Sequence, residues 1–456
     1  MKTPFGLSVR QSILLGVIIL LGIITYSPLL RADFIIIDDP QYVTENTLVQ
    51  DFSFNKIAEV FTSNTYGHYQ PLSVLTYIFD HAIWGNNATG YHLTNILLHL
   101  INIILVFLLT RKLSQNNNVG FISALFFSIH PMHVESVAWI SERKDVLYAV
   151  FYLAACLFYL KHLERNKDKK AFPFLSLFLF VLSLMSKSMA MTLPIMLLLF
   201  DYFKSGRITK KDILIKLPFF ALSVLFGIIA INTQQSAGFI NDLEQEYNFI
   251  DRLFLLSYSV VFYLFRLFIP YKSGFYYQYP DKESGILPPE FYVTGIILII
   301  ITIGIFFLRS QKKKLIFGLL FFIISISVVL RIIPIEGFLW EHNVYVGYVG
   351  LYLAISWIVV DWLFNKPKTQ KVLLVSLVLI CTLLTTKSFI RAGEWESTFS
   401  LAEAEIKNMP PSISPYIMRG RAYLAAENPE KAIQDANKAL DINPDSRLGL
   451  LLRASV

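Results

Sequence analysis

QSILLGVIILLGIITYSPLL (residues 11–30) runs directly into RADFIIIDDPQYVTEN (31–46). The first stretch carries no charge and is long enough to cross a bilayer as one helix. The second delivers two adjacent carboxylates, Asp38 and Asp39, just past the end of that helix. Acids beside a membrane segment are costly to hold and mark function by default. An apolar span ending on paired acids predicts a membrane enzyme whose chemistry sits at one membrane face. The basic start, MKTPFGLSVR, resembles a signal peptide, but no small-residue cleavage site follows. The run therefore reads as an uncleaved first helix.

Outward from that stretch the whole chain has the same character. Its 456 residues are 55% hydrophobic and 16% charged, with a mean hydropathy of +0.54. Soluble domains carry roughly 25% charged residues, so most of this length goes into spans. The net charge of +7 is no nucleic-acid signal, because Lys and Arg cluster in short loops. Cys156 and Cys381 both lie in apolar runs and read as packing thiols rather than a disulfide framework.

Apolar runs occur near 11–30, 92–110, 146–162, 217–235, 291–308, 315–332, 345–362 and 372–387, with shorter ones near 119–131, 173–186 and 189–204. Basic loops at Arg10, 111–112, 165–170, 204–216, 309–314 and 366–371 fall on every second connection. The run 251–270 breaks the alternation and contains Asp251, Arg252 and Arg266, so it reads as an interfacial or re-entrant helix. The sum is an all-α polytopic membrane bundle of about eleven crossings, N-terminus cytoplasmic and C-terminus outside. A bacterial inner membrane fits the short loops, and an endoplasmic reticulum location is topologically equivalent.

On the outer side lie the long loop 31–91, PMHVESVAWISERKD (131–145), Ser186-Lys187-Ser188, a tyrosine-rich stretch at 271–280 and IPIEGFLWEHNV (333–344). After Lys387 the chain turns polar, which divides it into 1–387, the membrane domain, and 388–456, an outer tail. Within the tail, SPYIMRGRAYLAAENPEKAIQDANKALDINP (414–444) resembles a tetratricopeptide repeat. Gly420, Ala425 or Ala426, and Ala432 permit close helix packing, Asn428-Pro429 makes the turn, and Asn443-Pro444 ends the unit. One full repeat and the start of another are present.

Several stretches then converge: HYQPLSVLTY (68–77), YHLTNILLHL (91–100), IHPMHVESVAWISERKDVL (129–147), SLMSKSMAMTLPIMLLLFDYF (183–203) and EHNVYVGYVGLYLA (341–354). With the acid loop and the repeat tail, their order and spacing resemble the transmembrane and tetratricopeptide-repeat-containing O-mannosyltransferases and their bacterial relatives. These belong to the GT-C superfamily of lipid-linked glycosyltransferases. The resemblance is densest over 31–203. Departures are the short repeat tail, Glu341-His342-Asn343 where the family usually has Glu-Arg-Tyr, and Ser188 where an acid often follows the matching lysine.

The resemblance implies transfer of mannose or a similar hexose from a polyprenyl-phosphate donor to a hydroxyl on a protein or envelope glycan, with inversion. Such an enzyme needs a carboxylate to activate the hydroxyl and cations, or a metal, where the phosphate departs. Asp39 is then the base and Asp38 its orienter or a metal ligand; the plain alternative for both is a turn before Pro40. Lys187, Arg143 and Arg331 are the candidate phosphate ligands, against snorkelling for Lys187 and a solvated charge run for Arg143. His133, Glu135, Glu142, His68, Tyr69, Glu341, His342 and Tyr345 are candidates for the wall of the site, against simple interfacial packing. His130 and His92 lie beside them. Asp38, His133 and Glu135 are the candidate ligands should Mn²⁺ or Mg²⁺ assist, a question the sequence leaves open. The HPxHxE spacing is not the HExxH of zinc peptidases. Two other classes compete. A transporter or flippase of lipid-linked intermediates would show internal repeats and midplane charges, and the halves show neither. A non-catalytic scaffold fits poorly with the intact acid pair.

Overall fold

The computed structural model describes residues 7–165, 171–238, 246–282, 284–307, 311–330, 337–365 and 370–456. Among them the regular structure is helical, with two isolated β-bridges, Thr65 to His68 and Tyr277 to Leu339. The chain opens with α1 (Val9–Tyr26), whose first turn is fixed by a reciprocal Ser8–Gln11 cap. The loop that follows contains two short helices, α2 (Phe54–Val60) and α3 (Pro71–Trp84). Then come α4 (Ala88–Ser114), α5 (Asn117–Ile129), α6 (Val134–Ala138), α7 (Arg143–Arg165), α8 (Phe174–Leu184), α9 (Leu193–Ser205) and α10 (Lys210–Ser236). The second half comprises α11 (Phe249–Phe268), α12 (Pro289–Phe307), α13 (Lys312–Ile326), α14 (Tyr348–Asn365) and α15 (Gln370–Glu394). The tail holds α16 (Thr398–Asn408), α17 (Ser414–Ala425), α18 (Pro429–Ile442) and α19 (Arg447–Ala454).

Among the described residues five segments are long and apolar enough to cross a membrane: Val9–Arg31, Ala88–Ser114, Ile140–Arg165, Lys210–Ser236 and Gln370–Glu394. Shorter apolar helices at Asn117–Ile129, Phe174–Leu184, Pro289–Ile305 and Tyr348–Leu363 fill in between them. This is an integral membrane protein built of helices. The run that breaks the charge alternation is α11. Asn248 caps its start, Asp251 pairs with Lys282 at 2.9 Å, and Arg266 near its other end donates to the Lys272 carbonyl at 3.1 Å.

The bundle centre is α4 packed on α5 and α7, with α14 against α5 and α13. Backbones approach closely where α13 meets α14: a Cβ on Gly318 would sit 2.5 Å from the Gly350 carbonyl. Small residues serve this purpose in membranes, where the hydrophobic effect does not drive helix association.

The two ends of the bundle differ. At one end Lys112 and Lys204 both pair with Glu164, and buried Lys216 meets Asp201 and the Tyr159 hydroxyl. The other end holds the acid loop, the turn before α7 and Lys187. The tail joins this second end. The composition change at 387 falls inside α15, which continues to Glu394. Just beyond it the Asp33 N–H donates to the Glu396 carbonyl at 2.9 Å and the Ile36 N–H to Thr398 Oγ1 at 3.1 Å. Farther on, α17 and α18 pack together and are clipped by a two-pronged Arg419–Asp435 pair at 2.9 and 2.8 Å.

Candidate functional site

Asp39 immediately precedes the short π-helical turn Pro40–Thr44, and its side chain is buried. One carboxylate oxygen accepts the Ile35 N–H at 2.7 Å and the other the Ser141 N–H at 2.9 Å. Burial pushes its pKa up to about 7, against the pull of those two N–H groups. Asp39 therefore fastens the acid loop to the turn that precedes α7. Its neighbour Asp38 is half-buried, and its charge is felt by Lys144 and Tyr42. Of the pair, Asp38 has the exposed surface.

The residues leading into α7 supply the opposite charges. Lys144 Nζ lies 2.6 Å from Glu142 Oε1 and 5.0 Å from the centre of the Tyr42 ring. Lys187 Nζ lies 2.6 Å from Asp145 Oδ1 and 3.4 Å from Glu142 Oε2. Glu142 thus bridges two ammonium groups that sit 43 positions apart in the chain. His342 completes the cluster. Its Nδ1 is 2.5 Å from Glu135 Oε1, and its Nε2 points to Glu142 Oε2 at 3.8 Å. The Trp340 ring stacks on its imidazole at 5.6 Å. His68 shares the field of Lys144 and Lys187; burial and then those ammoniums push its pKa down to about 3, so it is neutral at pH 7.

Glu142, Asp145 and His342 offer atoms within 4.8 Å of one another, the spacing of a metal trio. The two lysines lie on those same carboxylates, so a divalent ion would meet two ammonium charges. The ligand trio expected from sequence is not assembled. His133 Nε2 meets the Tyr352 hydroxyl at 3.0 Å amid the rings of Phe127 and Tyr345, while Glu135 turns to His342.

Other expected residues lie elsewhere. Arg143, expected at the donor phosphate, is wholly buried. It pairs with Asp80 at 2.6 Å, donates to Asn95 at 2.7 Å and the Tyr91 carbonyl at 3.0 Å, and lies over the Tyr77 ring. A guanidinium so occupied ties the start of α7 to α3 and α4. Tyr345 is also withdrawn: its hydroxyl meets His99 Nδ1 at 2.7 Å and Asn102 at 3.3 Å. Tyr69 donates to the Phe61 carbonyl at 3.0 Å and packs on Phe226. Glu341 is buried and accepts the Tyr277 hydroxyl at 3.0 Å, one residue behind His342. His130 binds the Leu267 carbonyl at 3.0 Å, and His92 is buried in α4. Arg331 lies outside the described residues. Two residues the sequence reading did not select, Lys144 and Asp145, are in the cluster. For Asp145 the signal was there: it lies three positions from Glu142 and so on the same side of the chain, whereas the spacing gives no such signal for Lys144.

The chain is similar to protein O-mannosyl-transferases. Residues 71–234 match the model of dolichyl-phosphate-mannose-protein mannosyltransferases, and 414–446 that of the tetratricopeptide repeat. A Caenorhabditis elegans protein O-mannosyl-transferase is 25% identical over 427 residues, 89% of this chain and 59% of its own length. Human protein O-mannosyl-transferase TMTC2 is 34% identical over 149 residues, 31% of this chain and 18% of its own. The chain thus spans about three fifths of the nematode relative and less than a fifth of the human one. Among solved structures, the archaeal oligosaccharyltransferase AglB of Archaeoglobus fulgidus, in complex with an inhibitory peptide and a dolichol-phosphate, aligns with 94% of this chain. The alignment takes in 59% of that chain, with a TM-score of 0.49 and 13% identity.

Proposed function

We propose that this protein is a membrane glycosyltransferase that moves a hexose, mannose or one like it, from a polyprenyl-phosphate donor to a hydroxyl of a protein or envelope glycan. The observation that carries this reading is the pairing of Lys144 and Lys187 around Glu142, with Asp38 close enough for its charge to act on Lys144. Two ammoniums at one end of an apolar bundle suit the phosphate of a lipid whose tail lies among the helices. In this mechanism Asp38 takes the proton of the acceptor hydroxyl and Asp39 positions the loop. The hydroxyl oxygen attacks the anomeric carbon from the face opposite the phosphate. The carbon–oxygen bond to phosphate breaks, the configuration inverts and polyprenyl phosphate leaves. This reading puts the reaction on the outer face, in a bacterial inner membrane or an equivalent one, with the tail presenting or selecting the acceptor protein.

The test is transfer of radiolabelled hexose from polyprenyl phosphate by the purified full chain, wild type against Asp38→Asn. Loss of a positioned base lowers kcat by about 10²-fold or more. Equal rates in the two proteins would move the base to Asp39. No wild-type transfer from any hexosyl polyprenyl phosphate would sink the reading.

A further inference from the structure

Glu135 and His342 form a contact that the charge-pair chemistry above does not use. Glu135 is wholly buried on α6, and only one of its carboxyl oxygens has a hydrogen-bond partner among the described residues: Oε1, on His342 Nδ1 at 2.5 Å. A buried carboxylate with an unsatisfied oxygen strongly disfavours its ionised form. Burial, together with Glu341, Glu142 and Asp145, holds the Glu135 proton well above the usual carboxylate range, with Arg391 opposing. A neutral carboxyl donates its proton to Nδ1. The imidazole then carries its own proton on Nε2, the nitrogen that faces Glu142 at 3.8 Å. Trp340 on one side and Trp139, at 6.4 Å, on another fix the ring plane. The side chain of His342 is 10% exposed and that of Lys187 12%, and both face Glu142 Oε2, at 3.8 and 3.4 Å.

We propose that Glu135 and His342 are a proton-donating dyad, with His342 the catalytic acid for the departing phosphate and Glu135 its positioning and proton-supplying partner. The inference rests on the glycosyl-transfer reading above. As the anomeric carbon–oxygen bond breaks, its electron pair goes to the phosphate oxygen, which takes the proton from Nε2. The Glu135 proton passes to Nδ1. The acceptor hydroxyl proton has gone to Asp38, so one carboxyl is ionised and another protonated, and the net charge is unchanged. Exchange with water then resets both. The leaving lipid departs as a monoanion rather than a dianion, which lowers the charge the lysines must hold.

His342→Arg removes the acid, because a guanidinium does not give up its proton; it also adds a charge where the imidazole is neutral, so the readouts are kcat and its pH profile. With the full chain in detergent and a hexosyl polyprenyl phosphate donor, kcat is expected to fall about 10²-fold in His342→Arg. Wild-type kcat is expected to decline on the alkaline side as the dyad loses its proton, and that limb is expected to vanish in the variant. Glu135→Gln, monitored by thermal unfolding, is the second arm: it keeps the Nδ1 hydrogen bond and removes the proton supply, so kcat falls and the limb shifts. Arginine performing as well as histidine, or Glu135→Gln leaving both kcat and the limb unaltered, would overturn the dyad while transfer itself stands. Absence of wild-type transfer would overturn the underlying reading and the dyad together.

Discussion

At the residue scale the acid pair divides its labour by burial. Both oxygens of Asp39 are filled by backbone N–H groups, while Asp38 is half-buried. Asp38→Asn is expected to remove transfer and leave the melting temperature close to wild type. Asp39→Asn places an amide N–H₂ against a backbone N–H and leaves a buried donor unsatisfied, at a cost of about 1–3 kcal/mol. Its thermal unfolding in detergent is expected to drop along with its activity. A melting temperature unchanged in Asp39→Asn would mean that the staple between Ile35 and Ser141 is not holding the loop. Arg143 makes the complementary case. Arg143→Ala leaves Asp80 buried and unpaired, for which the cost is about 3–5 kcal/mol. It is therefore expected to lower stability and yield, whereas Lys144→Gln is expected to weaken donor binding in a folded protein. The sequence marked this charge run as a candidate but not which of its cations pairs with Glu142. Along a helix successive side chains turn about 100°, so Arg143 and Lys144 point apart, and composition alone does not fix that phase.

At the element scale, the apolar runs and the repeat were legible because they follow periods of a few residues. The brace formed by α16 was not. Ile36 and Thr398 are 362 residues apart, and no local pattern announces such a contact. The same helix reaches the tyrosine-rich loop, where the Phe275 N–H donates to Glu405 Oε2 at 3.1 Å. Burial pushes the Glu405 pKa up to about 7, against the attraction of Arg391. A carboxyl whose folded pKa is raised above its unfolded value favours the docked state below the unfolded pKa. That advantage is lost as pH rises through the folded one. Docking of α16 is thus expected to weaken from about pH 4.5 to about 7 and to level off above. Glu405→Gln keeps an acceptor for the Phe275 N–H and removes the titration. Hydrogen exchange over 398–408 should rise across that range in wild type and stay flat in the variant; parallel profiles in the two proteins would exclude Glu405 as the source.

At the scale of the whole molecule, the acid loop, the turn before α7, Lys187, His342 and the tail gather at one end of the bundle. Arg111, Lys112, Lys204, Lys210 and Lys211 lie in the terminal turns of helices at the other, with Arg207 in the connection between α9 and α10. Basic residues mark the cytoplasmic side of short loops. On the proposed reading the charge bias would put the acid end outside. Exposed positions allow the orientation to be measured. In a background with Cys156 and Cys381 replaced, Gln50→Cys in the acid loop and Lys438→Cys in the tail are expected to react with a membrane-impermeant maleimide on intact spheroplasts. Arg207→Cys is expected to react only after permeabilisation. Gln50 and Lys438 labelling from opposite sides would break the link between tail and acid loop that the Asp33 and Ile36 hydrogen bonds create. Both protected, with Arg207 exposed, would keep the fold and invert it. The site would then face the cytoplasm, and an outer-face acceptor would be excluded by geometry alone.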